Sequence, residues 1–350
     1  MPIMPTLSAR IERFGTLLQP VGPTETEGVL NPAFVRTRDG RAILFPRCVA
    51  SGNISRVGLC DVHTNGVAPS ATRRGFALEP EAAYELRPTP GFGCEDPRVT
   101  FLPAIDTFVM AYTAYGPEGP RIALALSRDG EHYERLGLVE FLEPGMARGD
   151  DKDAAFFPEP VISPNGVESF AFYHRPMLHI SAVDGRAAIP FIERLAMNER
   201  ESIRIAYVPV SEVSKDIKAL LRPRESIRVL SPDSQWGSIK VGSGTPPVRI
   251  DEGWLSLFHG VDLLGFDGHR PQFRYSAGIV LHHIQRPHEI VYRSPEPVLS
   301  PTTVEERTGT VDNVVFPTGI DVRTDLGSRI FDVYYGMADY AVGAARLTLT

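Results

Sequence analysis

The stretch Gly93-Cys94-Glu95-Asp96-Pro97-Arg98-Val99 runs directly into the strand-like segment Thr100 to Ala114. Two adjacent carboxylates, a proline and an arginine stand where the chain is about to enter a core, a place where unpartnered charge is costly. Asp96 is the leading candidate for a catalytic acid. The same design, a polar motif introducing a strand of the type apolar-apolar-Tyr or apolar-apolar-His, recurs near Asn31, Lys152, Lys240 and Asp312. Each start is followed by one or two further strands.

Between these starts, Gly and Pro, 31 of each, are spread as punctuation among short β-rich runs instead of being gathered into a linker, the mark of an all-β chain. Strands are expected over Arg41–Pro46, Thr107–Thr113, Ile122–Ser127, Ser169–Tyr173, Ile203–Pro209, Trp254–His259, Tyr275–His282 and Ile330–Tyr335, and a short helix over Val213–Leu221. Starts spaced by roughly 55 to 90 residues fit four-stranded propeller blades with inserted loops. Five starts predict a five-bladed β-propeller, with residues 1–350 forming a single catalytic domain. A large β-sandwich or a β-helix is the alternative. In a propeller the innermost strands surround a central channel, so the five polar starts would meet in one funnel.

Composition narrows the partners. A hydrophobic fraction of 43% is that of a chain with a sizeable core, and a net charge of −7 without a basic, aromatic-interleaved cluster argues against nucleic acid. Met1 to Arg13 lacks a signal-peptide core, and there is no run of about 18 apolar residues to span a bilayer. A cytoplasmic protein with no membrane partner is expected. Cys48, Cys60 and Cys94 are odd in number and unevenly spaced, which suggests neither a disulfide framework nor a zinc site. The carboxylates and histidines fall into no recognised ligand spacing, so no metal is expected.

In order, the starts gather Asn31 with Arg47, Glu95-Asp96-Pro97-Arg98, Lys152-Asp153 with His174-Arg175-Pro176, Trp236-Gly237 with Lys240 and His259-Gly260, and Asp312-Asn313 with Asp339. Such a set offers acids for proton transfer and cations for an anion, while Tyr112, Tyr115, Tyr173, Trp236 and Tyr335 could give flat faces for a sugar ring. Glycosidic-bond cleavage is the chemistry suggested. Taken singly, Arg98, Arg175 and Asp153 also read as salt bridges or turn caps, and His259 as a hydrogen-bonded structural histidine. Lys240 precedes Gly242-Ser243-Gly244-Thr245-Pro246-Pro247, which resembles a phosphate cradle but lacks the P-loop order and its helix.

Taken together, the motifs resemble glycoside hydrolase family 130, the mannoside phosphorylases and related β-mannosidases. The resemblance rests on Asn31-Pro32, Glu95-Asp96-Pro97-Arg98, Lys152-Asp153-Ala154-Ala155-Phe156-Phe157-Pro158, Tyr173-His174-Arg175-Pro176, Gly242 to Pro247, Gly253-Trp254-Leu255 with His259-Gly260-Val261, Arg293-Ser294-Pro295, Asn313 to Gly319 and Tyr335-Gly336 to Asp339. It implies a five-bladed β-propeller and inverting cleavage of β-linked manno-oligosaccharides. Inorganic phosphate would serve as co-substrate to give α-mannose 1-phosphate, with no cofactor, and a homo-oligomer is allowed.

The resemblance makes Asp96 the proton donor, acting through the 3-hydroxyl of the sugar. It assigns phosphate to Lys152, Arg175 and His259, and substrate binding to Asn31, Arg47, Glu95, Arg98, Asp153, Lys240 and Asp339. A donor needs a raised pKa, which Glu95 could supply by repulsion if both carboxylates face the same space; on a regular strand the two would point to opposite sides. Lys152-Asp153 departs from the Arg-Asn of several phosphorylases, and Asp153 would repel a phosphate dianion that it faced. The alternatives are an inverting β-mannosidase and a non-catalytic glycan-binding propeller. The mannosidase would use water and a carboxylate base, Glu159, Glu201 or Asp153, about 6.5–9.5 Å from the acid.

Overall fold

The structure is a computed structural model that describes residues 7–64, 68–141, 149–178, 185–233 and 235–350. It is all-β, its strands forming four hydrogen-bonded sheets that are antiparallel but for one short contact. The first sheet has Gly28–Arg36, Ala42–Ala50, Ile54–Thr64, Phe92–Leu102, Thr107–Gly116, Gly119–Ser127 and Glu134–Leu138 in order, with Pro69–Leu78 added beside Ile54–Thr64. It is two antiparallel groups joined only where Ile54 and Ser55 run parallel to Phe92 and Gly93. The second sheet runs Asp151–Phe156, Glu168–Pro176, Ile203–Pro209, Glu225–Leu230, and the third Lys240–Ser243, Gly253–Asp267, Arg270–His282, Ile290–Arg293. In the fourth, Val315–Val322, Ile330–Met337 and Ala341–Leu349 are completed by the N-terminal strand Ala9–Leu18, which pairs with Ala341–Leu349.

The central strands of each sheet are buried on both faces, which is why they read as continuous apolar runs. In Thr107–Gly116 the side-chain alternation sends Phe108, Met110 and Tyr112 into one cluster and Val109 and Ala111 into the next. Phe170 and Phe172 likewise face away from Ala171 and Tyr173. The clusters follow one another along the chain. Phe45 and Val57 pack with Phe108 and Tyr112; Val109 and Leu124 with Phe156 and Phe172; Phe157 and Tyr173 with Trp254 and Phe258; Leu257 and Ile279 with Phe331 and Val333. Tyr334 and Val342 then pack with Leu44 and Val62, returning the succession to its first strands.

The expected strands are all present, most of them longer than expected, the greatest extension being Trp254–His259, which runs as Gly253–Asp267 and pairs along its length with Arg270–His282. The expected helix Val213–Leu221 divides into an α-helical turn, Val210–Val213, and a 3-10 turn, Ile217–Leu221. Asp216 causes the break by capping the second piece, its side chain accepting from the Lys218 amide at 2.9 Å. A helix over Gly185–Arg194, carrying Pro190 inside it, was not foreseen. The three cysteines are buried and free, and among the described residues no helix is long and apolar enough to cross a membrane.

Gly93 is the tight point of the parallel contact. Its φ of +124° is a glycine conformation, and a Cβ there would lie 2.2 Å from the Ser55 carbonyl oxygen. Gly93→Ala is therefore expected to destabilise the protein by about 2 kcal/mol or more, read as a lowered midpoint in urea unfolding. Gly166, at φ +79° with open space around it, should tolerate the same change better.

Candidate active site

Three strands open with one shared irregularity. Pairing is regular at Leu30, Glu95 and Lys152, skips two residues, and resumes at Ala33, Arg98 and Ala155. The first skipped residue of each bulge, Asn31, Asp96 or Asp153, has a left-handed backbone with φ of 42°, 45° and 62°. Asn and Asp tolerate this region better than other residues with a Cβ, and bulges re-aim side chains. Asp339, with φ 48°, follows Ala338, also at 48°, in the turn after Ile330–Met337. All four line one cavity of ≈ 170 Å³, together with Arg47, Lys152, Arg175, Met177, Lys240, His259, Tyr275, Val314 and Phe316. Half of the eight left-handed non-glycine residues described thus sit at this cavity, as strain held for function does.

On one side of the cavity the Asp96 carboxylate accepts from Asn31 Nδ2 at 2.9 Å and Arg47 Nη1 at 3.2 Å. Arg47 Nη2 donates to Glu95 Oε1 at 2.8 Å, and Lys152 Nζ lies 3.5 Å from Glu95 Oε2. The bulge has cancelled the strand alternation, so that one guanidinium holds both neighbouring carboxylates. Burial pushes the Asp96 pKa up, but Arg47, Lys152, Arg98 and the Asn31 hydrogen bond outweigh it and hold the carboxyl below its ordinary value. The expectation of a raised Asp96 pKa is corrected accordingly for the free site. Asp339 is the raised carboxyl, pushed to about 6 by burial and by the charge of Asp96, against Arg47 and Lys152.

On the other side, Arg175 Nε donates to Asp153 Oδ2 at 2.7 Å and its Nη1 donates to Glu201. Its backbone amide donates to Asp151 Oδ1 at 2.9 Å, and Asp151 Oδ2 holds His174 Nδ1 at 2.7 Å. Asp153 also lies 3.6 Å from Arg98 Nη2 and 3.8 Å from His259 Nε2. Burial alone would raise Asp153, yet Arg175, with Arg98 behind, keeps it well below the usual carboxylate range. His259 is 1% exposed and packs on Phe316 with ring centroids 4.3 Å apart. Burial, aided by Arg175, Lys240 and Arg98, lowers it to about 3, so the imidazole is neutral near pH 7. Neither of its ring nitrogens has a hydrogen-bond partner among the described residues. The Asn31 amide oxygen is also buried and unpartnered. Orphaned buried polar atoms on a cavity wall indicate a ligand that satisfies them.

Nine of the eleven residues singled out from sequence line the cavity: Asn31, Arg47, Asp96, Lys152, Asp153, Arg175, Lys240, His259 and Asp339. Glu95 and Arg98 stand behind its wall. Arg98 spends its guanidinium on backbone carbonyls, those of Gly244 at 3.1 Å, Ser243 at 3.1 Å and Asp96 at 3.0 Å. The two lysines stand apart: Lys152 acts on Asp96 and Asp339, whereas Lys240 acts on Glu201 and His259. Asp312 is exposed and caps a turn by accepting from the Gly309 amide at 3.2 Å. Of the proposed sugar platforms, Tyr112, Tyr173, Trp236 and Tyr335 are core residues: the three tyrosines fall on strand faces turned into the packed clusters, and Trp236, in the 3-10 turn Gln235–Gly237, packs on Phe258. Tyr115 carries Arg87 4.6 Å from its ring centroid, and the cavity's own aromatics are Tyr275 and Phe316.

Sequence reasoning missed the work of the Gly242-Ser243-Gly244 run. A Cβ on Gly242 would lie 2.3 Å from His259 Cε1 and 2.4 Å from Asp153 Oδ2, so this glycine makes the room in which the two side chains meet. Ser243 Oγ donates to the Asp153 carbonyl. The near-P-loop spelling was the available signal, but it marks close packing of strands and not a phosphate cradle.

The glycoside hydrolase 130 family model, described as beta-1,4-mannooligosaccharide phosphorylase, matches residues 10–350. The 1,2-beta-oligomannan phosphorylase of Thermoanaerobacter sp. (strain X514) is 30% identical over 272 residues, 77% of this chain and 71% of its own. A beta-1,2-mannobiose phosphorylase of the same organism is 29% identical over 261 residues, 74% of this chain and 68% of its own. Among solved structures, the beta-1,2-mannobiose phosphorylase of Listeria innocua, in complex with beta-1,2-mannobiose, superposes with a TM-score of 0.69 at 21% identity, covering 97% of this chain and 96% of that one.

Gly242→Ala should leave the fold intact while displacing His259 from Asp153. Calorimetric titration with inorganic phosphate is expected to show binding weakened about tenfold or more, the loss of one charge-assisted contact; unchanged binding would separate the anion from this pair.

Proposed function

This chain belongs to glycoside hydrolase family 130, and on that premise we propose that it cleaves β-mannosides by phosphorolysis with inversion, releasing α-mannose 1-phosphate and an acceptor sugar. The observation that carries the reading is the division of one cavity into two sides: Asp96 held by Asn31 and Arg47 on one, and Arg175, Lys240 and the unpartnered neutral His259 on the other. The mannosyl unit would lie against Asn31, Asp96, Lys152 and Asp339, so that Lys152 and Lys240 exchange the phosphate and sugar assignments implied by the resemblance. Phosphate would be met by the cationic side chains of Arg175 and Lys240, with His259 giving its one N–H. Glu95 and Arg98 hold the walls. The chemistry calls for no metal and no cofactor, phosphate being the co-substrate; among the described residues no cluster of His, Cys, Asp or Glu is arranged to hold a metal ion.

The same reading makes residues 1–350 one domain, a five-bladed β-propeller. Its support is the run of sheets and the closed succession of clusters between them, with the eight-stranded sheet counted as two blades and Ala9–Leu18 completing the last. The polar strand starts would then ring the channel, as the cavity's lining suggests.

Asp153 favours phosphorolysis where its charge had counted against it. Its carboxylate points at Arg175 and Arg98, so it orients the arginine and is itself neutralised. Hydrolysis with inversion would need, on the Arg175 side across from Asp96 and Asp339, a carboxylate able to take a proton from water near neutral pH. Asp153 and Glu201 are both bound to Arg175 and held below their ordinary pKa values, and Glu159 lies on the surface in an ion pair with Arg249. A phosphate dianion needs no such base, since it attacks C1 with a charged oxygen.

Incubation with β-linked mannobioses, with and without phosphate, should give mannose 1-phosphate only with phosphate. Phosphate-independent release of mannose would indicate the hydrolase, and binding without turnover the glycan-binding module. Asp96→Asn should lower turnover roughly 10³-fold, and near-wild-type rates in a folded variant would remove Asp96 from the donor's role. Arg175→Ala should raise the phosphate requirement by about tenfold or more while changing mannoside binding little, measured as separate KM values for the two substrates.

A further inference from the structure

Five carboxylates stand in or behind the cavity, and four have partners. Glu95 is held by Arg47 and Lys152, Asp96 by Arg47 and Asn31, Asp153 by Arg175, and Glu201 by Arg175 and the Leu178 amide. The Asp339 side chain makes no hydrogen bond or ion pair among the described residues, although it lines the cavity and is only partly exposed. Its position is imposed by the backbone. Ala338 and Asp339 are both left-handed in the turn closed by the Tyr340 amide on the Met337 carbonyl at 2.9 Å. Left-handed alanine is disfavoured and persists only when the surroundings enforce it. Here the Ala338 amide and carbonyl are bound to Val314 and Val311, at 3.0 and 3.1 Å.

We propose that Asp339 and Asp96 work as a carboxyl pair that carries one proton in the free site, Asp339 storing it and Asp96 delivering it to the departing sugar oxygen. The charged groups acting on Asp339 are Asp96 and Glu95 from Phe92–Leu102, Arg47 from Ala42–Ala50 and Lys152 from Asp151–Phe156. The cations are already engaged by Glu95 and Asp96, so a further negative charge on Asp339 is poorly compensated. Ionisation of Asp339 is accordingly pushed up to about 6 while that of Asp96 is pushed down. Two nearby carboxyls with divergent environments titrate as a pair.

The proton balance closes over one turnover. A sugar hydroxyl bridging the two carboxyls takes the Asp339 proton and gives its own to Asp96. Asp96 then gives a proton to the 3-hydroxyl of the sugar, whose own proton passes to the glycosidic oxygen as the C1–O bond breaks and an oxygen of hydrogen phosphate bonds to C1. The hydrogen phosphate proton, released as the mannosyl phosphate becomes a dianion, recharges the pair. No net proton is consumed.

The proposal rests on the phosphorolytic reading, but one test does not. In ligand-free protein with 13C-labelled aspartate, the Asp96 carboxyl resonance should show a second inflection near pH 6, the ionisation of Asp339, which disappears in Asp339→Asn. Asparagine tolerates the left-handed backbone, so the turn should survive. An Asp96 titration unchanged by Asp339→Asn overturns the pair whatever the enzyme does. In the assay, kcat/KM of the wild type should fall as pH rises through about 6, because the stored proton is then lost. Asp339→Asn should reduce kcat/KM at least 100-fold and move that alkaline limb down by at least one pH unit, and Asp339→Glu should restore the limb. A residue that merely binds sugar would raise KM and leave the limb in place, and that result also overturns the proposal. Absence of any phosphorolysis in the wild type would instead defeat the functional reading and leave the titration test standing.

Discussion

The site depends on a backbone constraint: at Asn31, Asp96 and Asp153 the strand takes a left-handed step, and the alternation of side chains is broken there. On a regular strand, Glu95 and Asp96 would face opposite ways and Asp96 would enter the packed interior between sheets. The bulge turns it to the cavity while Glu95 remains behind, so one arginine, Arg47, reaches both. At Asp153 the same step puts a carboxylate between Arg175, Arg98 and His259. The irregularity is tolerated because it falls on strands with one open side, those of Asn31 and Asp153 ending their sheets and that of Asp96 paired on its outer side only at Phe92 and Gly93, while the apolar residues that follow each bulge are buried. Strain at the strand starts is outweighed by cooperative packing elsewhere.

Electrostatically the cavity is balanced in layers. Residues behind the wall, Glu95, Arg98 and Glu201, neutralise and aim the residues in front, so that Arg47 and Arg175 present their charge in fixed directions. What is left unsatisfied is then informative. Among the described residues the buried His259 nitrogens and the Asn31 amide oxygen lack hydrogen-bond partners on opposite sides of the same space, and each is a group that phosphate oxygens or sugar hydroxyls can complete. In the proposed reading neutral His259 would contribute direction to an anion, while Arg175 and Lys240 would contribute charge. Preorganised donors of this kind are effective because they need not reorganise as the reaction proceeds.

Much of this was legible in the sequence because the polar starts are spelled alike and precede apolar runs of strand length. Asp96, Arg175 and His259 could be named from those spellings, and the all-β class from the punctuation by Gly and Pro. The long Gly253–Asp267 arm was cut short in the reading because alternation fades beyond His259, where Leu264 and Phe266 are exposed. The role of Gly242 was hidden because closeness in space between Asp153 and His259 leaves no trace in local pattern. The sides of the cavity taken by Lys152 and Lys240, and the raised pKa of Asp339 in place of Asp96, are likewise products of tertiary charge placement. A bulge inverts which of two neighbouring residues faces inward, and period-two reasoning has no means of registering it.

The central claim, that one cavity holds sugar on the Asp96 side and phosphate on the Arg175 side, is tested most directly by diffraction from crystals soaked with mannose and inorganic phosphate. The account predicts a tetrahedral anion within hydrogen-bond distance of Arg175, Lys240 and His259, and a pyranose ring against Asn31, Asp96 and Asp339. An anion bound on the Asp96 side, or a sugar ring filling the Arg175 side, would contradict it.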